Sequence, residues 1–245
     1  MFSSTTRSVV AVAGLAMATA SLAACAPSSS AHGLSVVATT TQICDYVTQI
    51  AARSAEISLD KTDAAGKNSH VGAAPDGAAL TMSLTCLLAP NASAHEHEMT
   101  PEQTSALAQA DVMAVSGVDL EHFLDDAVVS SGFKGRMVVT SGVLTAADVD
   151  NPGAPDPEGA YTIDRGSERV DVAPWPFPPE EAGEEPEFRF DPHVWTSPKG
   201  ARVQVANLGA GLAAAAPDAA SSINAATASY LEDIDALDEW TAEAI

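Results

Sequence analysis

The chain has 245 residues, with 33 Asp and Glu against 11 Lys and Arg, a formal charge of −22 at pH 7. A field this acidic repels phosphate backbones, which excludes nucleic-acid binding and favours cations. Hydrophobic residues make up 46% and aromatic residues only 5%, enough apolar material for a packed core, which excludes wholesale disorder.

Residues 1–24 read as an export signal. Arg7 supplies a positive start, and residues 9–20 form an apolar run too short and alanine-rich to span a bilayer. The run closes on Leu22-Ala23-Ala24-Cys25, which resembles the bacterial lipobox; the alternative is an ordinary secretory signal with an incidental cysteine. Lipidation would make Cys25 the attachment point, followed by a tether over residues 25–32. The expected location is extracytoplasmic, anchored to the bacterial cell membrane. Cys44 and Cys86 then remain in an oxidising compartment, where an even pair points to a disulfide. Two small buried thiols are the alternative. A zinc site built on them has no CxxC or CxxH spacing behind it.

Residues 34–39 are β-branched and apolar, as in a buried strand, and Ile43, Tyr46, Val47 and Ile50 follow at helical spacing. Residues 59–78 lack periodicity and read as an exposed insertion. Strand character returns over residues 80–88. Thr100-Pro101-Glu102-Gln103 then marks a helix start, with a capping threonine, proline at the first position and glutamine at the third. Residues 112–115 form a short apolar strand, and Leu120, Phe123, Leu124 and Val128 mark the next helix. Residues 137–140 are a further strand. Strands alternating with helices predict an α/β fold, a parallel four-stranded sheet flanked by helices, over residues 33–147.

Residues 148–189 hold 12 acidic residues, three arginines and eight of the 15 prolines. That composition predicts an acidic, Pro-rich solvated loop over 148–190, a spacer that tolerates deletion of residues 150–185. Order is expected to resume over residues 191–217, where Ser197-Pro198 caps a helix. A second, longer helix runs over residues 218–245, with Ile223, Tyr230, Leu231, Ile234 and Leu237 at spacings of three and four.

Of the six histidines, His32 falls in the tether and His70 in the insertion. His122, at helical spacing beside Phe123, reads as an interfacial histidine. His95 and His97 follow a strand directly and precede a capped helix, where α/β sheets bind ligands. His193 lies on a loop before another capped helix. Neutral imidazoles are common ligands for zinc, manganese or iron, although this spacing alone is a weak signal.

Three stretches carry a resemblance. Val36-Val37-Ala38-Thr39-Thr40, Ala94-His95-Glu96-His97-Glu98-Met99-Thr100-Pro101 and Asp191-Pro192-His193-Val194-Trp195 resemble the zinc/manganese receptor lipoproteins of ABC importers. The resemblance implies a first ligand at His95 and a second at His193. It departs at Ser93-Ala94, where the family carries Asp-Pro, and at His97, where tyrosine is usual, which leaves either His95 or His97 able to ligate. Relatives continue past the long helix into a second lobe that supplies further ligands, so residues 218–245 are expected to begin an interlobe helix. The function implied is capture of zinc or manganese, as cargo rather than catalytic cofactor, for delivery to an ABC-transporter membrane permease. It would be no enzyme. The alternatives are a zinc hydrolase using Glu96 or Glu98 as base, and a cell-surface adhesin without metal transport.

Overall fold

The computed structural model describes Met1 and residues 33–153, 155–156, 159–179 and 184–244. The signal segment, Cys25, the tether and His32 lie outside the described residues. Seven strands form one sheet in the order β3-β2-β4-β1-β5-β6-β7. In chain order the elements begin with β1 Leu34–Ala38, α1 Thr41–Ala52, β2 Ile57–Thr62, β3 Asn68–Gly72 and β4 Leu80–Cys86. They continue through α2 Pro101–Ala108, β5 Val112–Val115, α3 Leu124–Ser131, β6 Arg136–Val139, α4 Ala146–Asp150 and β7 Thr162–Asp164. Two long helices, α5 Pro198–Ala215 and α6 Ala220–Ala244, complete the described chain. All neighbouring strands pair in parallel except β2 and β3, which form an antiparallel hairpin.

The alternation of β1 builds a core on each side of the sheet. Val36 and Ala38 face a cluster formed with α1, α5 and α6, including Ile43, Ile50, Leu208 and Ile223. Val37 faces the other side, with Leu107 of α2, Val128 of α3 and Phe133. Both valines are essentially without exposure, as expected of a central parallel strand covered on two faces. Helix starts follow local chemistry. The Thr40 hydroxyl accepts from the Ile43 N–H, and Thr100 and Gln103 form a reciprocal capping box. Gln103 also donates to the Leu87 carbonyl at 2.8 Å, fastening α2 to the exit of β4.

Cys44 on α1 and Cys86, the last residue of β4, form a disulfide with Cα atoms 5.6 Å apart. Among the described residues no helix is long and apolar enough to cross a membrane.

The α/β class holds, but the sheet has seven strands rather than four. Two of the additions lie where an insertion was expected. β2 buries Ile57 and Leu59, and β3 pairs with it as an exposed edge, Asp60 opposite His70. The third is β7, inside the acidic segment, and its packing overturns the reading of that segment as a dispensable spacer. Carboxylates there are neutralised by arginines: Arg136 pairs with Asp164 at 2.9 Å, Arg165 with Asp148 and Asp156, Arg189 with Asp150. Val170 and Phe188 are buried, and Asn207 of α5 bonds both the N–H and the carbonyl of Glu168. Composition averaged over the segment hid a few apolar anchors and well-placed arginines. Deletion of residues 150–185 would remove β7 and is therefore expected to destabilise the fold.

Candidate metal centre

β1 is the switch point of the sheet: the chain lays β4 on one side of it and β5 on the other. The loops leaving β4 and β5 diverge there and open a crevice at the carboxyl ends of the strands, the usual ligand position in open α/β sheets. The β4 loop carries His95. The β5 loop carries residues 116–123.

The β5 loop has an unusual backbone. Gly117, Val118 and Asp119 have successive φ values of 87°, 59° and 55°. Left-handed backbone at a β-branched valine is a genuine outlier and costs of order 1–3 kcal/mol. The surroundings hold it: the Val118 N–H donates to the Val143 carbonyl at 2.8 Å and the Asp119 N–H to Leu144 at 3.1 Å. Glu121 is buried and accepts from Ser116 N–H (2.7 Å), Gly117 N–H (3.0 Å) and the Thr39 hydroxyl (2.6 Å). A Cβ on Gly117 would lie 2.1 Å from the Val143 carbonyl oxygen. Gly117→Ala is therefore expected to lower stability by about 2–4 kcal/mol, read as a shift in the urea midpoint.

This turn delivers the Leu120 carbonyl to His95, whose Nδ1–H donates to it at 3.2 Å. His193 is oriented in the same manner from another element. Its Nδ1–H donates to Asp191 at 2.8 Å, and the same carboxylate oxygen accepts from the His193 backbone N–H at 3.0 Å. With both Nδ1 atoms engaged, each ring keeps Nε2 for a ligand; an oxygen that accepts from Nδ1–H fixes the tautomer of a metal-binding histidine. The two ring centres stand 5.5 Å apart.

The acidic segment supplies an apolar wall. Phe188, 4% exposed, lies 4.8 Å from the ring centre of His95, 5.4 Å from His122 and 6.5 Å from His193. Trp175 packs on Phe188 at 5.0 Å and on His193 at 5.8 Å. Burial lowers the His95 pKa, helped by the neighbouring His193 and His122 and opposed by the Leu120 carbonyl and the Glu187 carboxylate. A lowered pKa keeps the imidazole neutral, the form that ligates.

Of the residues singled out from the sequence, His95 and His193 come together. His97 turns elsewhere: its ring packs edge-on against Phe123 at 5.0 Å, and its buried Nε2 has no hydrogen-bond partner among the described residues. Glu96 and Glu98 are exposed. His70 lies on the edge strand, bonded to Asp60 and to the Ala73 carbonyl. His122, read from sequence as interfacial, lies 5.8 Å from His95 between ring centres. The helix expected from Leu120 starts only at Leu124, so His122 belongs to the loop. Its signal in the sequence was its place just after a strand at the sheet centre, as for His95. Among the described residues no three His, Cys, Asp or Glu side chains already converge as a metal shell.

Residues 78–245 match the family described as zinc-uptake complex component A periplasmic, ZnuA. Among solved structures, Zn(II)-bound AdcA from Streptococcus pneumoniae superposes with a TM-score of 0.54 and 18% identity, over 86% of this chain and 32% of that one. The metal-dependent lipoprotein YcdH from Bacillus subtilis gives a TM-score of 0.50 and 18% identity, over 84% of this chain and 54% of that one. The chain thus spans about a third of the first relative and about half of the second.

Proposed function

The chain belongs to the family of zinc-uptake complex component A, periplasmic, and on that premise we propose that it is an extracytoplasmic receptor for a divalent transition metal, zinc or manganese. In this reading His95 and His193 take the ion as cargo, and the protein passes it to an ABC-transporter permease. Cys25 carries the lipid that keeps it at the membrane, residues 33–217 form the metal-binding lobe, and α6 begins the connection between lobes.

The observation that carries the reading is the matched orientation of two imidazoles from different loops. Each has Nδ1 fixed by an oxygen acceptor, and the rings lie 5.5 Å apart at the switch point. The formal charge of −22 draws cations toward that crevice from solution. Two imidazoles occupy half of zinc's usual four positions and leave the remainder to other donors.

The test is calorimetric titration of the chain with zinc at neutral pH. His95→Ala and His193→Ala are each expected to weaken binding by about 100-fold or more, beyond the 10–100-fold of an outer-shell partner. His70→Ala, on the edge strand, is expected to bind like the parent. Unchanged affinity in both site variants would overturn the reading.

A further inference from the structure

We propose that His122 is a third imidazole of this site, so that the lobe presents His95, His122 and His193 to one ion; the inference rests on the receptor reading above. With zinc–nitrogen bonds of about 2.0–2.1 Å, two histidines sharing a tetrahedral ion hold their ring centres about 5 Å apart. His95 stands 5.8 Å from His122 and 5.5 Å from His193. Binding one ion would draw all three rings to about this spacing, His122 and His193 moving toward each other from either side of His95. His95 is the middle member of the three.

The backbone gives the second argument. Three consecutive left-handed residues are an expensive way to leave a strand, and here they include a valine and an aspartate. Their product is the segment Leu120-Glu121-His122. Its first residue offers the carbonyl that orients His95, its second is the buried anchor, and its third brings an imidazole beside His95. The strain accordingly positions one ligand and carries another. His122 is exposed, and neither of its ring nitrogens has a hydrogen-bond partner among the described residues, which leaves it free for an ion arriving from solution.

The donor set has a consequence for selectivity. Imidazoles suit zinc, whereas manganese favours carboxylate, carbonyl and water oxygens. A third imidazole in place of an oxygen donor therefore tilts this receptor toward zinc.

The experiment is X-ray absorption on the zinc-loaded full chain and on His122→Gln, with zinc and manganese affinities from competition titration. The variant is expected to show one imidazole fewer, and its zinc affinity to fall by about 100-fold, at or beyond the outer-shell range, while manganese binding changes far less. An unchanged imidazole count and zinc affinity, with His95→Ala still defective, would sink the third ligand and leave the receptor reading standing. Full binding by His95→Ala and His193→Ala would overturn both. A measurement without any variant covers the case in which His122→Gln does not fold. Acylation of histidines by diethylpyrocarbonate, mapped by mass spectrometry, should reach His122 in the metal-free chain and be blocked by zinc. Equal modification in both states would count against the proposal.

Discussion

Reducing the Cys44–Cys86 bond is expected to lower the stability of this domain by about 4 kcal/mol. The bridge spans a sequence separation of 42, and the chain-entropy argument for a loop of that length gives a stabilisation of about 4 kcal/mol. For a domain of this size the loss corresponds to a fall in melting temperature of roughly 10 °C. The position of the bond says where the effect concentrates. It closes the segment containing α1, β2 and β3, and β3 is an exposed edge strand whose only sheet neighbour is β2. Both sulfurs are buried, so reduced thiols would remain packed as small apolar groups. The loss should therefore come from the unfolded chain, and Cys44→Ala with Cys86→Ala should lose somewhat more than reduction does. Thermal melts with and without reductant measure it. A shift of under about 1 kcal/mol would mean that the hairpin is held by the core and that closure adds little.

The parts of the fold that were legible in the sequence carry a strong local signal, either burial or capping. β1, α1 and β4 showed an apolar pattern, α2 and α5 a chemical start signal, and all five appear within a few residues of their expected places. β3 carries Asn, Ser and His on an edge that buries none of them, so no periodicity could announce it. β7 has three residues and depends on Arg136 meeting Asp164 from a distant part of the chain. The same reason governs the site. His95 and His193 were visible through the motifs around them. His122 was read as a helical interface residue, because the sequence did not announce the left-handed backbone at Val118 and Asp119 that delays the helix to Leu124, conformations that those residue types disfavour. Phe188 and Trp175 were hidden by the acidic composition of their neighbours, although they wall the histidines.

Replacing Glu121 with alanine is expected to cost about 3–5 kcal/mol, the loss typical of an emptied buried polar network. Its carboxylate is the acceptor for the N–H groups of Ser116 and Gly117, and alanine leaves both buried without a partner. Thr39 suffers less, because its hydroxyl also lies 3.2 Å from the Ala114 carbonyl and can donate there. The same hydroxyl makes a protonated Glu121 tolerable: the carboxyl donates to Thr39, which donates on to Ala114. Burial raises the Glu121 pKa, against the pull of the hydrogen bonds its carboxylate accepts. The sign of the pH dependence follows. Above the ordinary glutamate value of about 4.3 and below the raised folded value, the folded chain binds more protons than the unfolded one. Stability therefore falls as pH rises through that window, by up to about 1.4 kcal/mol per pH unit from this one group. Repulsion among the remaining carboxylates has the same sign, so the diagnostic quantity is a difference. Urea midpoints of the parent and of Glu121→Gln, compared from pH 4 to 7, should diverge at the acid end and run closer at neutrality. Parallel curves would mean that Glu121 stays ionised throughout and that its donors outweigh burial. Loosening this anchor also frees the turn that aims the Leu120 carbonyl at His95, so Glu121→Gln should weaken zinc binding without touching a ligand.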